Sequence, residues 1–429
     1  MNDATFAYLQ LSLTPGIGTV IANRLVIEAG SAIKSLTVDP GALARVQGIG
    51  KSKSAELHRG IRAARDETKR VVDRCDQLGI SIYSLIDYDY PVMLAMLPDA
   101  PTVIFVKGQL EPRDLHAVGL VGSRKCSLYG REQAERFANQ LAQMGVTVVS
   151  GGARGVDTQA HRGALLTSNG RTVAVLGCGT DVAYPPENRE LFAQISEEGR
   201  GALISEHPPG TPPAAENFPR RNRVISGLSR GIVVIEADER SGALITARQC
   251  IEDHNRQVFA VPGRVDSPTS SGPHRLIREG AILVTCAADV VEGLGAMPDI
   301  ESYEAGRGFQ RATEGLGLED PVHTRLGVLE PAIEFAPVEF PPGETLQGMK
   351  PRKFSAKQDS PKQSTPIAVP TLEGDRKLVF ESLGIDSRSA DDVANATRLE
   401  IQVVMRELTM LSMLGLIRRV DGNSYQRKS

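Results

Sequence analysis

Apolar positions change their spacing several times along this chain. Between about 103 and 294, short β-branched runs alternate with amphipathic stretches. The runs, at 117–121, 146–150, 172–176, 202–205, 232–236, 258–261 and 282–284, lack strict alternation. Such runs predict strands buried on both faces, which β-α-β units supply in a parallel sheet. Between the first two, Ala134, Phe137, Ala138 and Leu141 recur at i, i+3, i+4 and i+7 and mark one apolar helix face. The expected fold is α/β: a Rossmann-like, doubly wound, mainly parallel sheet, flanked by a helical N-terminal domain and a C-terminal winged helix.

Residues 1–70 read as short helices with two similar hairpins. Leu13-Thr-Pro-Gly-Ile-Gly18 and Val46-Gln-Gly-Ile-Gly50 each set an isoleucine between two glycines ahead of a helical pattern. Glycine permits the tight turn, and the helix N-terminus behind it offers N–H groups to a phosphate. This is a helix-hairpin-helix pair; ordinary helix–helix turns that bind nothing are the alternative. Residues 71–101 are expected to connect it to a Rossmann-like domain over 102–295. From 296 to 370, prolines such as Pro321, Pro341, Pro342 and Pro351 punctuate a stretch poor in apolar periodicity, which predicts a linker.

Over 371–429 order returns. A short helix is expected at 378–383, and Ser389 can cap a second that begins at Ala390. Ile401, Val404, Met405, Leu408 and Leu411 define one face of a third. The Asp421-Gly422 step then signals a hairpin. Three helices and a hairpin make a winged helix, a fold that can read DNA or bind only protein. Its nine basic and nine acidic residues are balanced.

With 429 residues and about 150 per domain, roughly three domains are expected. No run of 18 apolar residues occurs, which excludes a transmembrane helix. The opening Met-Asn-Asp-Ala-Thr-Phe has no basic segment ahead of an apolar run, so no secretory leader is expected. Five dispersed cysteines without C-x-x-C argue against disulfides and structural zinc, and suit a reducing cytoplasm. The net charge of −3 excludes a globally basic nucleic-acid coat, so any polyanion site must be local.

Ligands of an open α/β sheet bind beyond the carboxyl ends of its strands, and the loops there are unusual. After the first core strand comes Val121-Gly-Ser-Arg-Lys-Cys-Ser-Leu-Tyr-Gly130. Gly122 is expected to admit a ligand to the backbone, with Ser123, Arg124 and Lys125 as phosphate partners. Ser150-Gly-Gly-Ala-Arg-Gly-Val-Asp157 pairs Gly151 and Gly152 with Arg154. Phe218-Pro-Arg-Arg-Asn-Arg223 crowds three guanidiniums with only Glu216 nearby in sequence, which is unfavourable unless a polyanion or distant acids relieve it. Phe218 is suited to stacking on an unpaired base, burial in the core being the alternative. Ser241 and Gly242 open a helix that offers one more phosphate cradle. Lys125 is the sole lysine of residues 113–349; the arginine bias fits a nucleic-acid face, and high genomic GC content would produce it too.

Catalytic signatures are absent from the sequence. The seven histidines are scattered without an H-x-x-x-H pair, and there is no Walker P-loop. His161 reads as a packed residue, not a base. Lys125 beside Cys126 would lower that thiol's pKa, with no histidine to pair with it.

In one order along the chain stand Gly122-Ser-Arg with Ser127 and Tyr129-Gly130, then Gly151-Gly-Ala-Arg-Gly-Val-Asp157 with Ala160-His161. Phe218-Pro-x-Arg-Asn-Arg223 follows, then Ser241-Gly-Ala-Leu-Ile-Thr-Ala247 and Phe259-Ala-Val-Pro-Gly263. This series, over 110–290, resembles the DprA/Smf family. The resemblance implies a non-catalytic, cytoplasmic protein, without cofactor or metal, that binds incoming single-stranded DNA in natural transformation. It implies loading of the RecA recombinase and a homodimer through the Rossmann-like domain. Carried over, the phosphate pocket is Gly122, Ser123 and Arg124, and the base-stacking element is Phe218, Arg221, Asn222 and Arg223. At two places the chain departs from the family pattern, in Ala214-Ala-Glu216 and at His274. The rival reading is a lysine-decarboxylase-like phosphoribohydrolase, whose Pro-Gly-Gly-x-Gly-Thr-x-x-Glu signature is missing.

Overall fold

The structure is a computed structural model that describes residues 1–296, 374–383 and 388–399, with 403–404, 408, 411, 417–419 and 424–427. Two units divide the chain, Met1–Gly343 and Glu344–Ser429.

In the first unit, helices α1 (Asp3–Ser12), α2 (Thr19–Ala29), α3 (Ala32–Ser35), α4 (Pro40–Leu43) and α5 (Lys51–Leu78) precede the sheet. The two glycine hairpins have matching geometry. Gly16 and Gly48 take φ of 85° and 98°, a left-handed conformation that favours glycine. The following Ile17 and Ile49 enter one core. Their N–H groups donate to Thr14 O at 3.1 Å and Val46 O at 2.9 Å. Arg24 donates to Gln47 O at 3.0 Å, so the first hairpin's cation holds the second hairpin.

Nine strands follow: β1 (Ile80–Ser84), β2 (Val103–Gly108), β3 (Ala117–Val121), β4 (Thr147–Ser150), β5 (Thr172–Leu176), β6 (Gly201–Ser205), β7 (Gly231–Val234), β8 (Gln257–Ala260) and β9 (Ile282–Leu283). They form one sheet in the order β1-β2-β6-β5-β4-β3-β7-β8-β9. From β6 to β9 all pairings are parallel. β1 and β2 add antiparallel at one edge. The chain winds outward from β3 to β6, returns beside β3 as β7, and winds the other way, so the topological switch point lies between β3 and β7.

The remaining helices are α6 (Val92–Ala95), α7 (Leu128–Gln143), α8 (Val156–Leu165), α9 (Arg189–Glu197), α10 (Asn217–Leu228), α11 (Gly242–Glu252), α12 (Ser271–Arg278) and α13 (Ala287–Leu294). Successive residues of β3 face opposite layers. Ala117 and Val121 pack with Val224 and Ile225 of α10 and Leu244 of α11. Val118 and Leu120 pack with Phe137 of α7, Ala160 of α8 and Val290 of α13. A strand covered on both sides needs no polar face, which is why these runs do not alternate.

Two boundaries differ from the sequence reading. α5 runs unbroken through position 70, and the stretch taken as a connector contributes β1 to the sheet. Ile80 and Ile82 pack with the N-terminal helices while Tyr83 adjoins the opposite layer, a period of two that marks a half-covered edge strand.

The second unit, described by itself, has helices at Gly374–Ser382 and Ala390–Thr397 and a small sheet of Arg388–Ser389, Ser424–Arg427 and Ile417–Arg419. Ser389 caps the second helix reciprocally with Asp392. Val404, Leu408 and Leu411 share a core with Val379, Val393 and Tyr425. The Pro-rich linker over 297–370, Ile401 and Met405, and the Asp421-Gly422 turn lie outside the described residues.

Candidate nucleic-acid interface

At the carboxyl ends of β3 and β7 the switch point opens into a cavity of about 770 Å³. Gly122, Ser123, Arg124 and Lys125 line it from the loop after β3. Phe218, Arg221 and Asn222 line it from α10, and Ser241 and Gly242 from the start of α11. Gly151, Gly152, Arg154 and Arg223 lie outside its wall.

The β3 loop is held from below. Ser123 N–H donates to Glu236 O at 2.6 Å, and Ser123 Oγ accepts Lys125 N–H at 3.1 Å. The buried Glu236 carboxylate accepts from Ser127 N–H at 2.8 Å, Ser127 Oγ at 2.7 Å and Thr269 Oγ1 at 3.0 Å. Gly122, besides lining the cavity, is tightly packed on its other side. A β-carbon there would lie 2.6 Å from Val156 Cγ2 and 2.8 Å from Glu236 O, so protein atoms require a glycine at this position. Gly152 is likewise packed: its φ is 66°, and a β-carbon would meet the Phe192 ring at 2.9 Å. Gly242 alone of these three glycines has open space around it.

Arg124 and Lys125 are exposed. The Arg124 guanidinium sits 4.9 Å above the centre of the Phe218 ring, a cation–π stack. The ring is half-buried and meets Tyr184 with centroids 5.8 Å apart and planes tilted by 44°. Below, Arg221 is 5% exposed and donates from Nη1 to Val175 O at 2.7 Å, while its Nε has no partner. Burial pushes the Arg221 guanidinium down to about 10, with Asp157 opposing; it stays charged at neutral pH. Burial also holds the Asp157 carboxyl above its usual range, with Arg221 the main opposing influence.

Two of the expected phosphate contacts are internal ion pairs. Arg154, half exposed, pairs with Glu187, whose bonding raises the arginine's pKa. Arg223 is locked: it pairs with Glu206, lies 3.4 Å from Asp99 Oδ2 and donates to Asp99 O at 2.6 Å. Crowding in the Arg220–Arg223 segment is thus relieved by acids 17 and 124 residues away, as well as by the exposure of Arg220. Cys126 also differs from expectation, because burial raises its thiol pKa and Glu236 adds to the effect.

Sequence reasoning missed three residues at the site. Glu236 gave only a strand-end carboxylate as its signal. Tyr184 is distant in sequence. Arg240 stands immediately before the cap residue Ser241 and lines the cavity. Asn222 Nδ2 reaches Gly242 O at 3.5 Å, linking α10 to the start of α11. Among the described residues no group of three or more His, Cys, Asp or Glu is placed to hold a metal ion. His161 is fully buried, away from solvent. No described helix is long and apolar enough to cross a membrane.

The family model described as DNA recombination-mediator protein A matches residues 81–295, and one described as the DprA winged helix domain matches residues 363–423. Protein Smf of Escherichia coli is 47% identical over 214 residues, which take in 49% of this chain and 56% of that protein. Protein Smf of Synechocystis is 32% identical over 431 residues, the full length of both chains. The X-ray structure of DNA processing protein A (DprA) from Streptococcus pneumoniae superposes with a TM-score of 0.57 at 34% identity. It covers 68% of this chain and 98% of that one. The first family match starts inside β1 and ends just past α13, so it spans the whole sheet and every loop of the cavity. On this agreement of motif order, fold and similarity over its full length, the chain belongs to the DNA recombination-mediator protein A (DprA/Smf) family.

Proposed function

We propose that this protein is a cytoplasmic, non-catalytic recombination mediator. It binds incoming single-stranded DNA across the β3–β7 switch point, shields it and loads the RecA recombinase onto it in natural transformation. One observation carries the DNA reading: Arg124, exposed and stacked on Phe218, forms the mouth of a cavity floored by a buried arginine with an unpartnered Nε. A guanidinium over an aromatic ring offers donors to phosphate and a flat face to a base. Phosphate contacts and stacking are indifferent to base identity, so little sequence preference is expected.

The test is oligonucleotide affinity of the full chain across a salt series. Each phosphate contact on a single strand contributes about −0.7 to the slope of log K against log salt. Arg124→Ala should weaken binding and flatten the slope by about that amount. Phe218→Ala should cost about 1–3 kcal/mol for the base it stacks and leave the slope alone. Unchanged affinity and slope in Arg124→Ala would remove the central contact.

The protein acts as a homodimer through the Rossmann-like domain, by way of the β9 edge, to which no further strand pairs among the described residues. Ile282 and Leu283 are 36% and 48% exposed there, and an unpaired apolar edge is a template for a second copy. Leu283→Asp should convert a dimer to a monomer by light scattering; an unchanged mass places the contact elsewhere.

A further inference from the structure

We propose that Arg240 and the N-terminus of α11 hold a second phosphate of the same strand, in the cavity that Arg124 also lines. The inference rests on the DNA reading and adds a residue to it. Arg240 is exposed and lines the cavity from the turn after β7. Asp238 accepts its backbone N–H at 2.8 Å, which shapes the turn, while its guanidinium makes no ion pair among the described residues.

Next to it, α11 starts without an acidic residue in its first turn. Ser241 Oγ occupies the Ala243 N–H at 3.3 Å, and the space beside Gly242 is open. The partial positive charge of this helix end therefore adds to that of Arg240. Independently, Arg221, which lines the same cavity, is buried with an Nε that has no partner, a cost that an anion reaching it would relieve. Pro213, Ala215 and Phe218 give the same cavity an uncharged stretch of lining, and Asp157 and Asp238 are its two acidic residues. Two exposed arginines, Arg124 and Arg240, and an apolar, aromatic stretch thus line one cavity. A polynucleotide has the matching groups, with phosphates at either side of a base. One cation alone would anchor a single phosphate and leave the strand free to swing.

The experiment measures the full chain's affinity for a labelled oligothymidylate over a salt series, using Arg124→Ala, Arg240→Ala and Arg240→Lys. Arg240→Ala should bind about ten-fold more weakly at low salt, with a slope flattened by about 0.7. Arg240→Lys should keep the slope. Circular dichroism verifies the fold of each variant. Wild-type affinity and slope in Arg240→Ala overturn the inference, whatever Arg124→Ala does. Loss in Arg240→Ala with none in Arg124→Ala supports it and removes the Arg124 contact instead.

Discussion

The guanidinium of Arg221 occupies the space that a β-carbon on Gly151 would need. The first glycine of the Ser150-Gly-Gly loop is therefore the seat of an arginine from another element, and α10 can approach the ends of β4 and β5 because residue 151 has no side chain. Gly151→Ala should force Arg221 and the start of α10 outward, carrying Phe218 with them. Overpacking of this kind costs about 1–3 kcal/mol, and oligonucleotide binding should weaken as well. Gly242→Ala is the control, since a β-carbon there meets open space; its stability should stay within about 0.5 kcal/mol of wild type. Denaturant midpoints compare the two, and equal stabilities would show that Arg221 has room to move.

Arg223 belongs to the same helix and faces a different duty. Its pairing with Glu206 and Asp99 ties α10 to the residues that follow β6 and to the segment after α6. Arg223→Ala would leave the partly buried Glu206 without its cation, at a cost below the roughly 3–5 kcal/mol of a fully buried pair. Burial already raises the Glu206 pKa, against the pull of Arg223, and removing the arginine raises it further. A carboxyl whose folded pKa exceeds its unfolded value favours folding as pH falls through the folded pKa. The stability deficit of Arg223→Ala should thus be largest at neutral pH and shrink in acid, and adding Glu206→Gln should recover part of it. The salt slope for DNA should remain that of wild type; a flatter slope would make Arg223 a phosphate contact after all.

The parts of this protein that were legible in its sequence are those whose environment is local or uniform. β3 and β5 are legible to the residue because both faces of each are covered, so neither strand carries a solvent-facing polar position. β1 was not, because Ile80-Ser-Ile-Tyr-Ser84 alternates over only five residues and its partner, β2, lies beyond α6. Arginine beside glycine marked loops that contribute to one cavity. It did not reveal that Gly122, Gly151 and Gly152 make room for protein atoms, since that depends on which residues the fold brings opposite them. The same limit applies to charge. Glu206 and Asp99 neutralise Arg223 only through the return of β6 beside β2, and no count of neighbours in sequence finds them.

His161 carries the last prediction. It is fully buried on α8, its Nδ1–H donating to Thr172 Oγ1 at 2.7 Å while that hydroxyl donates to Val148 O at 2.7 Å. Nε2 has no partner. Burial, reinforced by the charge of Arg221, pushes the imidazole down to about 3, against about 6.5 in an unfolded chain. Between these values the unfolded state takes up a proton that the folded state refuses. The stabilisation is complete above about pH 6.5 and is lost toward pH 3, by about 1.4 kcal/mol per pH unit. His254, lowered to about 4, acts in the same direction, whereas the raised carboxyls of Asp157 and Glu206 act against it. A single-site comparison separates them: His161→Asn keeps a donor toward Thr172 and removes the titration. From pH 6.5 to 4, the stability advantage of wild type over this variant should shrink by about 1.4 kcal/mol per unit. A pH-independent difference in urea unfolding would mean that His161 accepts its proton in place and that the layer between α8 and β5 opens to water.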